Sequence, residues 1–280
     1  MNKETKPRYK LSIILFIATV LTTMIAGALQ QGVNPIDTPL KLIKGIPFAL
    51  ALMIILLSHE LGHYITSKRH HINVTLPYFI PAPSLIGTFG AFIKMKSPLL
   101  NKRALLDIGA SGPLVGTIVS IPFVVIGLYL SEIRGATEAG GAQLGSSILF
   151  SVLARVTLGN IPESYDILIH PVAFAGWIGL LVTSFNLMPV GQLDGGHIAY
   201  AILGEKQRRL SLAVILFLFF LGSFGWKGWF FWGFLLTIMG LRHPRPLDQW
   251  TPLDRKRKAI AFISLIVFVL TFTPVPFRFA

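Results

Sequence analysis

The feature that most constrains this chain is a pair of histidines and a glutamate inside a long apolar segment. The stretch ILLSHELGHYI, residues 55–65, lies within an apolar run that begins near Ile46. An ionisable side chain at the centre of a membrane-spanning helix costs about 2.5–3.5 kcal/mol on insertion scales, so such residues in a span are functional by default. The run therefore predicts a membrane helix that carries a chemical site.

The composition is that of a membrane protein. Of the 280 residues, 53% are hydrophobic and 13% are charged, whereas soluble domains carry about 25% charged residues. The chain has no cysteine, which excludes disulfides, thiolate metal ligands and a cysteine nucleophile. The net charge of +13 is explained by Lys and Arg residues that flank the apolar segments, and we expect no nucleic-acid partner.

Seven apolar segments have about the length that a ~30 Å hydrocarbon core requires. They lie at approximately 11–29, 46–67, 108–131, 171–189, 209–224, 227–241 and 258–275. With a cytoplasmic N-terminus, most of the 25 Lys and Arg residues fall on the cytoplasmic side, as the positive-inside rule requires. We therefore expect an all-α polytopic membrane protein with six to seven transmembrane helices, in the cell membrane of a prokaryote.

His59 and His63 are four residues apart, so a helix places them on one face, one turn from each other. Two imidazoles in this arrangement can bind one zinc ion, and Glu60 projects beside them, where it can accept a proton from an attacking water. This is the HExxH pattern of metalloproteases. The alternative is a pair of histidines that hydrogen-bond to nearby backbone carbonyls. In an apolar span we favour the metal site.

A catalytic zinc takes three protein ligands and one open position, so a third ligand must come from another segment. The candidate is Asp194 in FNLMPVGQLDGGHI, residues 185–198, where Pro189 and Gly191 are expected to break the fourth span. Counting along the span places Asp194 near the membrane surface on irregular backbone, so the chain must bend back for it to bind. A structural loop carboxylate is the alternative. Asp107 is expected to cap the third span instead.

At these residues the chain resembles the site-2 protease family of intramembrane zinc metalloproteases. HELGH and NLMPVGQLDGG, residues 186–196, are the motifs that carry the resemblance, which extends across 46–200. The segment LPYFIPAPSLIGTFGAFIKM, 76–95, resembles the family's re-entrant segment. The stretch 170–198 is similar to the branch that includes plant plastid members. We expect a short form of the family without PDZ or CBS domains.

The resemblance implies roles for five side chains. His59, His63 and Asp194 would bind Zn²⁺, one ion per chain, and Glu60 would be the general base. Asn186 would contact the substrate or the developing oxyanion, a type of interaction that can be worth several kcal/mol of the barrier. A hydrogen bond that only packs two helices is the alternative for Asn186. The catalytic residues expected from the resemblance are therefore Glu60 and Asn186.

The segments between the spans are too short for an independent soluble domain. We therefore expect a single membrane-embedded protease domain over 1–280, with its core at 46–200 and peripheral helices at 1–45 and 201–280. The resemblance adds a re-entrant β-hairpin-like segment near 76–96. The active site is expected towards the cytoplasmic side.

The implied activity is hydrolysis of a peptide bond within or near a transmembrane segment of a substrate protein in the lipid bilayer. The alternative from another class is a polytopic metal or ion transporter that uses the same His and Asp side chains as transit ligands. A membrane zincin with a glutamate as third ligand and an inactive scaffold are further alternatives. The substrate and the oligomeric state are not fixed by the sequence.

A transmembrane substrate must be unwound before it is cut, and its freed N–H and C=O groups each cost several kcal/mol unless they are paired again. The segment LIGTFGAFI, residues 85–93, mixes strand formers with glycines that let another backbone approach. We expect its edge to pair with the substrate by β-augmentation, and a purely structural hairpin is the alternative. The predicted substrate contacts are Gly87, Thr88, Phe89, Gly90 and Asn186.

Three other features carry smaller predictions. His70, in a basic loop, is expected to be solvated. His197 lies one turn after Asp194, where it can hydrogen-bond a metal ligand or serve the structure alone. Gly112 and Gly116 form a GxxxG pattern that predicts close helix packing.

Overall fold

The computed structural model describes residues 9–135, 142–162, 164–241 and 243–279. Its helices, in chain order, are α1 Tyr9–Gln30, α2 Ile46–Arg69, α3 Lys102–Tyr129, α4 Ile148–Leu158, α5 Pro171–Asn186, α6 Asp194–Leu203, α7 Gln207–Phe224, α8 Gly228–Met239 and α9 Arg255–Thr271. Short 3₁₀ turns at Pro39–Gly45 and Gly204–Lys206 precede α2 and α7. The strands are β1 Tyr78–Pro81, β2 Thr88–Phe92, β3 Glu132–Gly135, β4 Ala142–Leu144, β5 Tyr165–Leu168 and β6 Phe277–Phe279.

Four helical stretches in the described part of the chain are long and apolar enough to cross a membrane. They are α1, α2 with the turn before it, α3, and the continuous stretch from α6 to α7. The helices α4, α5 and α8 are apolar but shorter. The predicted class, an integral membrane protein built mainly of helices, is confirmed, whereas the exact number of spans stays a prediction. So does the orientation, which depends partly on Lys and Arg residues before Tyr9, outside the described residues.

Helix α3 is the centre of the fold, since it packs against α2, α5 and α6. Small residues let the backbones approach closely at these crossings, which is the usual basis of helix packing in membranes. At one crossing, a Cβ added to Gly127 would lie 2.0 Å from the backbone nitrogen of Ala173 on α5. The main apolar cluster joins α2 and α5 around Phe48 and Trp177, both buried. The central position of α3 brings the helices that carry the predicted site together.

The predicted hairpin forms as an antiparallel pair of β1 and β2, with Phe79 opposite Ala91. It lies against α1, where the hydroxyl of Thr22 donates to the carbonyl oxygen of Gly87 at 2.6 Å. The ring of Phe79 is buried against Phe16 of α1, with ring centroids 5.2 Å apart. The hairpin is therefore anchored on its inner side, and its entry into the membrane stays a prediction.

The prediction that Asp107 caps α3 is wrong. The helix is capped by Asn101, whose side chain accepts from the backbone N–H of Ala104 at 2.9 Å. Asp107 instead accepts hydrogen bonds from the Nε and Nη2 atoms of Arg257 on α9, at 3.0 and 2.6 Å. His70 is only partly exposed, and its Nε2 atom lies 2.8 Å from the Asp107 carboxylate. The pair of Asp107 and Arg257 depends on α9 packing beside α3, which local sequence patterns do not encode.

Candidate metal centre

Helix α2 carries the first half of the site. His59, Glu60 and His63 are 5%, 6% and 6% exposed, so all three are buried within the protein. The one-turn spacing predicted for the two histidines is observed, and their Nε2 atoms lie 3.1 Å apart. Because the imidazole rings lie on the face of α2 that packs against α3, they form a polar site inside the protein.

Asp194 supplies the other half from α6. It is the first residue of that helix, not part of an irregular segment as predicted, and the turn that precedes it supplies the bend that the prediction required. Its Oδ2 atom lies 3.4 Å from His59 Nε2 and 3.2 Å from His63 Nε2. The structure thus brings the three predicted ligands together from two separate helices.

The spacing of these three atoms fits a zinc ion. Tetrahedral zinc binds nitrogen and oxygen at about 2.0–2.1 Å, which places neighbouring ligand atoms about 3.3 Å apart. The three atoms are separated by 3.1–3.4 Å. Two imidazoles and one carboxylate are also a donor set typical of catalytic zinc. His59, His63 and Asp194 therefore form a site suited to Zn²⁺.

The orientation of His63 is fixed by α3. Its Nδ1 atom lies 2.8 Å from the carbonyl oxygen of Ile108, and since a carbonyl only accepts, Nδ1 must carry the proton. The lone pair of Nε2 is then directed at the other two ligands, as is usual for metal-binding histidines. The hydroxyl of Ser111 donates to the same carbonyl at 2.8 Å and holds it in place.

The GxxxG pattern of α3 provides the space that the imidazoles occupy. A Cβ added to Gly112 would lie 2.1 Å from His63 Nε2, and one at Gly116 would lie 3.0 Å from His59 Nδ1. Close packing was predicted for these glycines, and it is confirmed. The residues they accommodate are the predicted metal ligands, which the pattern alone did not indicate.

Asn186 is the last residue of α5 and reaches the same site. Its Nδ2 atom lies 3.3 Å from His59 Nε2. An amide nitrogen only donates, so the group is a hydrogen-bond donor placed beside the metal-facing nitrogen of a predicted ligand. The structure thus groups Asn186 with the α2 residues and Asp194.

The four hairpin residues predicted to contact substrate face in different directions. Gly87 is held by Thr22 on α1, and Thr88 is 1% exposed, with its hydroxyl donating to Ile80 O at 2.9 Å. Phe89 is 73% exposed, and no described atom lies within 4 Å of a Cβ added to Gly90. The outer part of the hairpin is therefore Phe89 and Gly90, while Gly87 and Thr88 face the protein.

His197 makes a contact that sequence reasoning missed. Its Nδ1 atom lies 2.5 Å from Nε2 of His243, and both imidazoles are buried. The ring of Tyr200 stacks on His243 with centroids 4.7 Å apart. Burial lowers the pKa of His243, so its imidazole tends to be neutral. With Nδ1 directed at His243, His197 joins α6 to the segment that follows α8.

The chain is similar in sequence to a peptidase family and to plant zinc metalloproteases. The sequence profile of peptidase family M50 matches residues 47–223, which include all three predicted metal ligands. The chain is 32% identical over 296 residues to the probable zinc metalloprotease EGY1, chloroplastic, of Arabidopsis thaliana, covering 96% of the chain and 53% of that protein. Identity to EGY2 of the same plant, also named a probable zinc metalloprotease, is 32% over 257 residues, or 90% of the chain and 46% of that protein.

A rice protein, the probable zinc metalloprotease EGY1, chloroplastic, of Oryza sativa subsp. japonica, is 30% identical over 294 residues, with 95% of the chain and 50% of that protein covered. The chain thus spans about half the length of the curated relatives it matches. No solved structure is significantly similar to it. All three relatives are named chloroplastic, and the expected prokaryotic cell membrane stays a prediction for this chain.

Proposed function

Because the chain belongs to peptidase family M50, we propose that it is a zinc-dependent protease that cleaves a membrane protein within or near a transmembrane segment. The observation that carries this proposal is the buried set of His59, His63 and Asp194, assembled from two helices at distances suited to zinc. Family membership leaves the transporter alternative without support. The similarity to site-2 proteases predicted from the motifs is confirmed.

The proposed chemistry divides between the metal and Glu60. A zinc ion held by the three ligands would polarise the scissile carbonyl and lower the pKa of a water molecule towards about 7. Glu60 is adjacent to His59 and buried with it. We assign to its carboxylate the removal of a proton from the attacking water and the transfer of that proton to the leaving amine.

Asn186 is proposed as the donor for negative charge that develops on the substrate carbonyl oxygen. Its amide nitrogen lies beside His59 Nε2, at the edge of the ligand set, and it comes from a third helix, α5. A donor fixed in this way in a dry site can stabilise the transition state by several kcal/mol. The proposal for Asn186 rests on this placement and on the resemblance of its motif to the family.

The first test of the proposal is metal removal. The purified protein is expected to hold one zinc per chain, to lose both zinc and cleavage with phenanthroline, and to regain cleavage when zinc is added back. Asp194→Ala is expected to lower the zinc affinity because one of three ligands is gone. Asp37→Ala, which changes an exposed carboxylate, is the matched control and is expected to keep its zinc. Metal content is measured by elemental analysis and cleavage with a membrane-protein substrate in liposomes.

Two results would contradict the proposal. Full zinc occupancy in Asp194→Ala would remove this residue from the ligand set and require another carboxylate. Zinc transport into sealed liposomes, in a protein that cleaves no substrate, would establish the transporter alternative instead.

The outer edge of the hairpin is proposed as the strand that pairs with unwound substrate. Phe89 and Gly90 are its open residues, whereas Gly87 is engaged by α1 on the other side. A main-chain partner here would satisfy backbone groups that the substrate exposes when its helix unwinds. We expect the Phe89 N–H to make one of these bonds.

Phe89→Pro removes that N–H and is expected to slow cleavage about 2- to 10-fold, the effect of one lost hydrogen bond, without loss of zinc. Phe89→Ala keeps the N–H and is the matched control, with a smaller effect expected. Substrates with helix-breaking residues near the cut should be less affected by Phe89→Pro. Equal losses in both variants would show that the phenyl ring, not the backbone, makes the contact. Cleavage rates are measured in liposomes at matched zinc content.

A further inference from the structure

The turn between α5 and α6 carries buried polar backbone groups immediately before the metal ligand Asp194. It includes Pro189 and Gly191. The carbonyl oxygens of both residues and the N–H of Gly191 must find partners within the protein, and proline has no N–H. A polar backbone group left unpaired at membrane depth costs several kcal/mol. The partners of this turn therefore decide where its backbone lies, and Asp194 follows Gly191 by only three residues.

Ser211 on α7 supplies most of these partners. Its hydroxyl donates to the carbonyl oxygen of Pro189 at 3.1 Å and accepts from the N–H of Gly191 at 3.2 Å. It also accepts from Nε2 of Gln207 at 2.8 Å. A hydroxyl has one donor and two acceptor sites, so all of its hydrogen-bonding capacity is used here. Ser211 is 0% exposed, so no solvent is available to replace these partners.

Gln207 completes the arrangement one helical turn earlier. It is 1% exposed, and its Nε2 atom lies 3.4 Å from the carbonyl oxygen of Gly191 as well as near Ser211. Buried polar side chains are unfavourable unless they are hydrogen-bonded, and Gln207 and Ser211 lie on one face of α7. Their partners here are the backbone atoms of the turn and each other.

Apolar contacts hold the same turn from α7. Met188 and Val190 are each 1% exposed and belong to one buried cluster with Ile215 and Leu218 of α7. The turn is thus fixed to α7 by hydrogen bonds on its polar atoms and by packing of its side chains. None of the ligand atoms in the described metal site comes from α7.

We propose that Gln207 and Ser211 are positioning residues that set the location of the Asp194 carboxylate in the metal site. They act through the backbone of residues 189–191 and touch neither metal nor substrate. The proposal rests on the proposed zinc site and goes beyond it, because it assigns a role in metal binding to the helix that follows the matched core motifs. Loss of these bonds frees the turn to shift, and a carboxylate displaced from the two imidazoles binds zinc less tightly.

The test compares Ser211→Ala and Gln207→Met with Ser264→Ala. Ser264 is a fair control because it is also buried, 2% exposed, but its hydroxyl bonds only to Ile260 of its own helix at 2.9 Å. Zinc affinity is measured by competition with a chelator, and the ligand geometry by the visible spectrum of the Co²⁺-substituted protein. We expect Ser211→Ala to weaken zinc binding about 10- to 100-fold, as lost supporting hydrogen bonds do at other metal sites. Gln207→Met is expected to weaken it less, and Ser264→Ala not at all.

The expected signature is weaker metal binding together with an altered Co²⁺ spectrum, at helix content equal to that of the wild type. Folded Ser211→Ala and Gln207→Met variants with wild-type affinity and spectrum would overturn the inference. If only Gln207→Met folds, its zinc affinity and Co²⁺ spectrum test the inference alone. If neither variant folds, the two residues are required for folding and the positioning role is refuted. A wild-type protein that binds no zinc would instead refute the proposed function.

Discussion

The Glu60→Gln variant is expected to keep its zinc and to lose nearly all cleavage. Glutamine has the shape of glutamate but cannot accept a proton from water, and loss of a general base slows such reactions about 10²- to 10⁴-fold. The three proposed ligand atoms come from His59, His63 and Asp194, so the substitution leaves the proposed metal-binding set complete. The variant also removes a buried carboxylate, so we expect no loss of thermal stability.

Cleavage of a membrane-protein substrate in liposomes and zinc content by elemental analysis are measured on the same preparations. Glu132→Gln is the matched control, because it makes the same change at an exposed carboxylate and is expected to behave as wild type. His63→Ala should lose both metal and cleavage, which separates loss of the base from loss of the site. A Glu60→Gln variant that retains more than about a tenth of the wild-type rate would assign the base to another residue.

The Gly112→Ala variant is expected to lose both zinc and cleavage, although it adds a single methyl group. That methyl carbon would lie 2.1 Å from Nε2 of His63, much closer than non-bonded atoms approach. The backbones of α2 and α3 are already in close contact at this crossing, since a Cβ on Gly62 of α2 would lie 2.8 Å from the carbonyl oxygen of Ser111 on α3. His63 must therefore leave the ligand set, and we expect zinc affinity to fall at least about 10- to 100-fold.

Gly127→Ala is the control for Gly112→Ala. It makes the same change in the same helix, at a crossing where the new carbon would lie 2.0 Å from the nitrogen of Ala173 on α5. We expect it to lower thermal stability but to leave the zinc content of the folded protein unchanged. Equal zinc content in both variants would show that α3 adjusts at Gly112 without moving His63.

The parts of the protein that were predicted correctly are those encoded by local spacing. His59 and His63 are neighbours because a helix repeats every 3.6 residues, and an apolar run of this length in a membrane must be helical. The strand pair observed between Tyr78 and Phe92 lies in the segment 76–96 that the resemblance to the family indicated, and its re-entrant character stays a prediction. In each case the interacting residues lie close together in the chain.

The features that were missed join residues far apart in the chain. Asp107 was predicted to cap α3, but it pairs with Arg257, which only the packing of α9 beside α3 brings near. No local pattern distinguishes Ser211 from other small residues in an apolar span. Its proposed positioning role depends on a hydrogen bond to the backbone of another segment. Asp194 was a candidate from the break at Pro189 and Gly191, and Asn186 was identified only through the resemblance to a family, because a site assembled from separate helices has no local periodicity. The region beyond residue 200, expected to be peripheral, contributes the buried contacts of Ser211 to the turn before Asp194.

The order in which the proposed zinc ligands occur along the chain has a consequence for biosynthesis. His59 and His63 leave the ribosome early, on α2, whereas Asp194 and the α7 residues that hold its turn follow α5. A nascent chain that has inserted only the earlier helices holds two imidazoles without the carboxylate. Such a chain lacks the three ligands that a catalytic zinc takes. The order of synthesis therefore delays completion of the proposed ligand set until the later helices are in place.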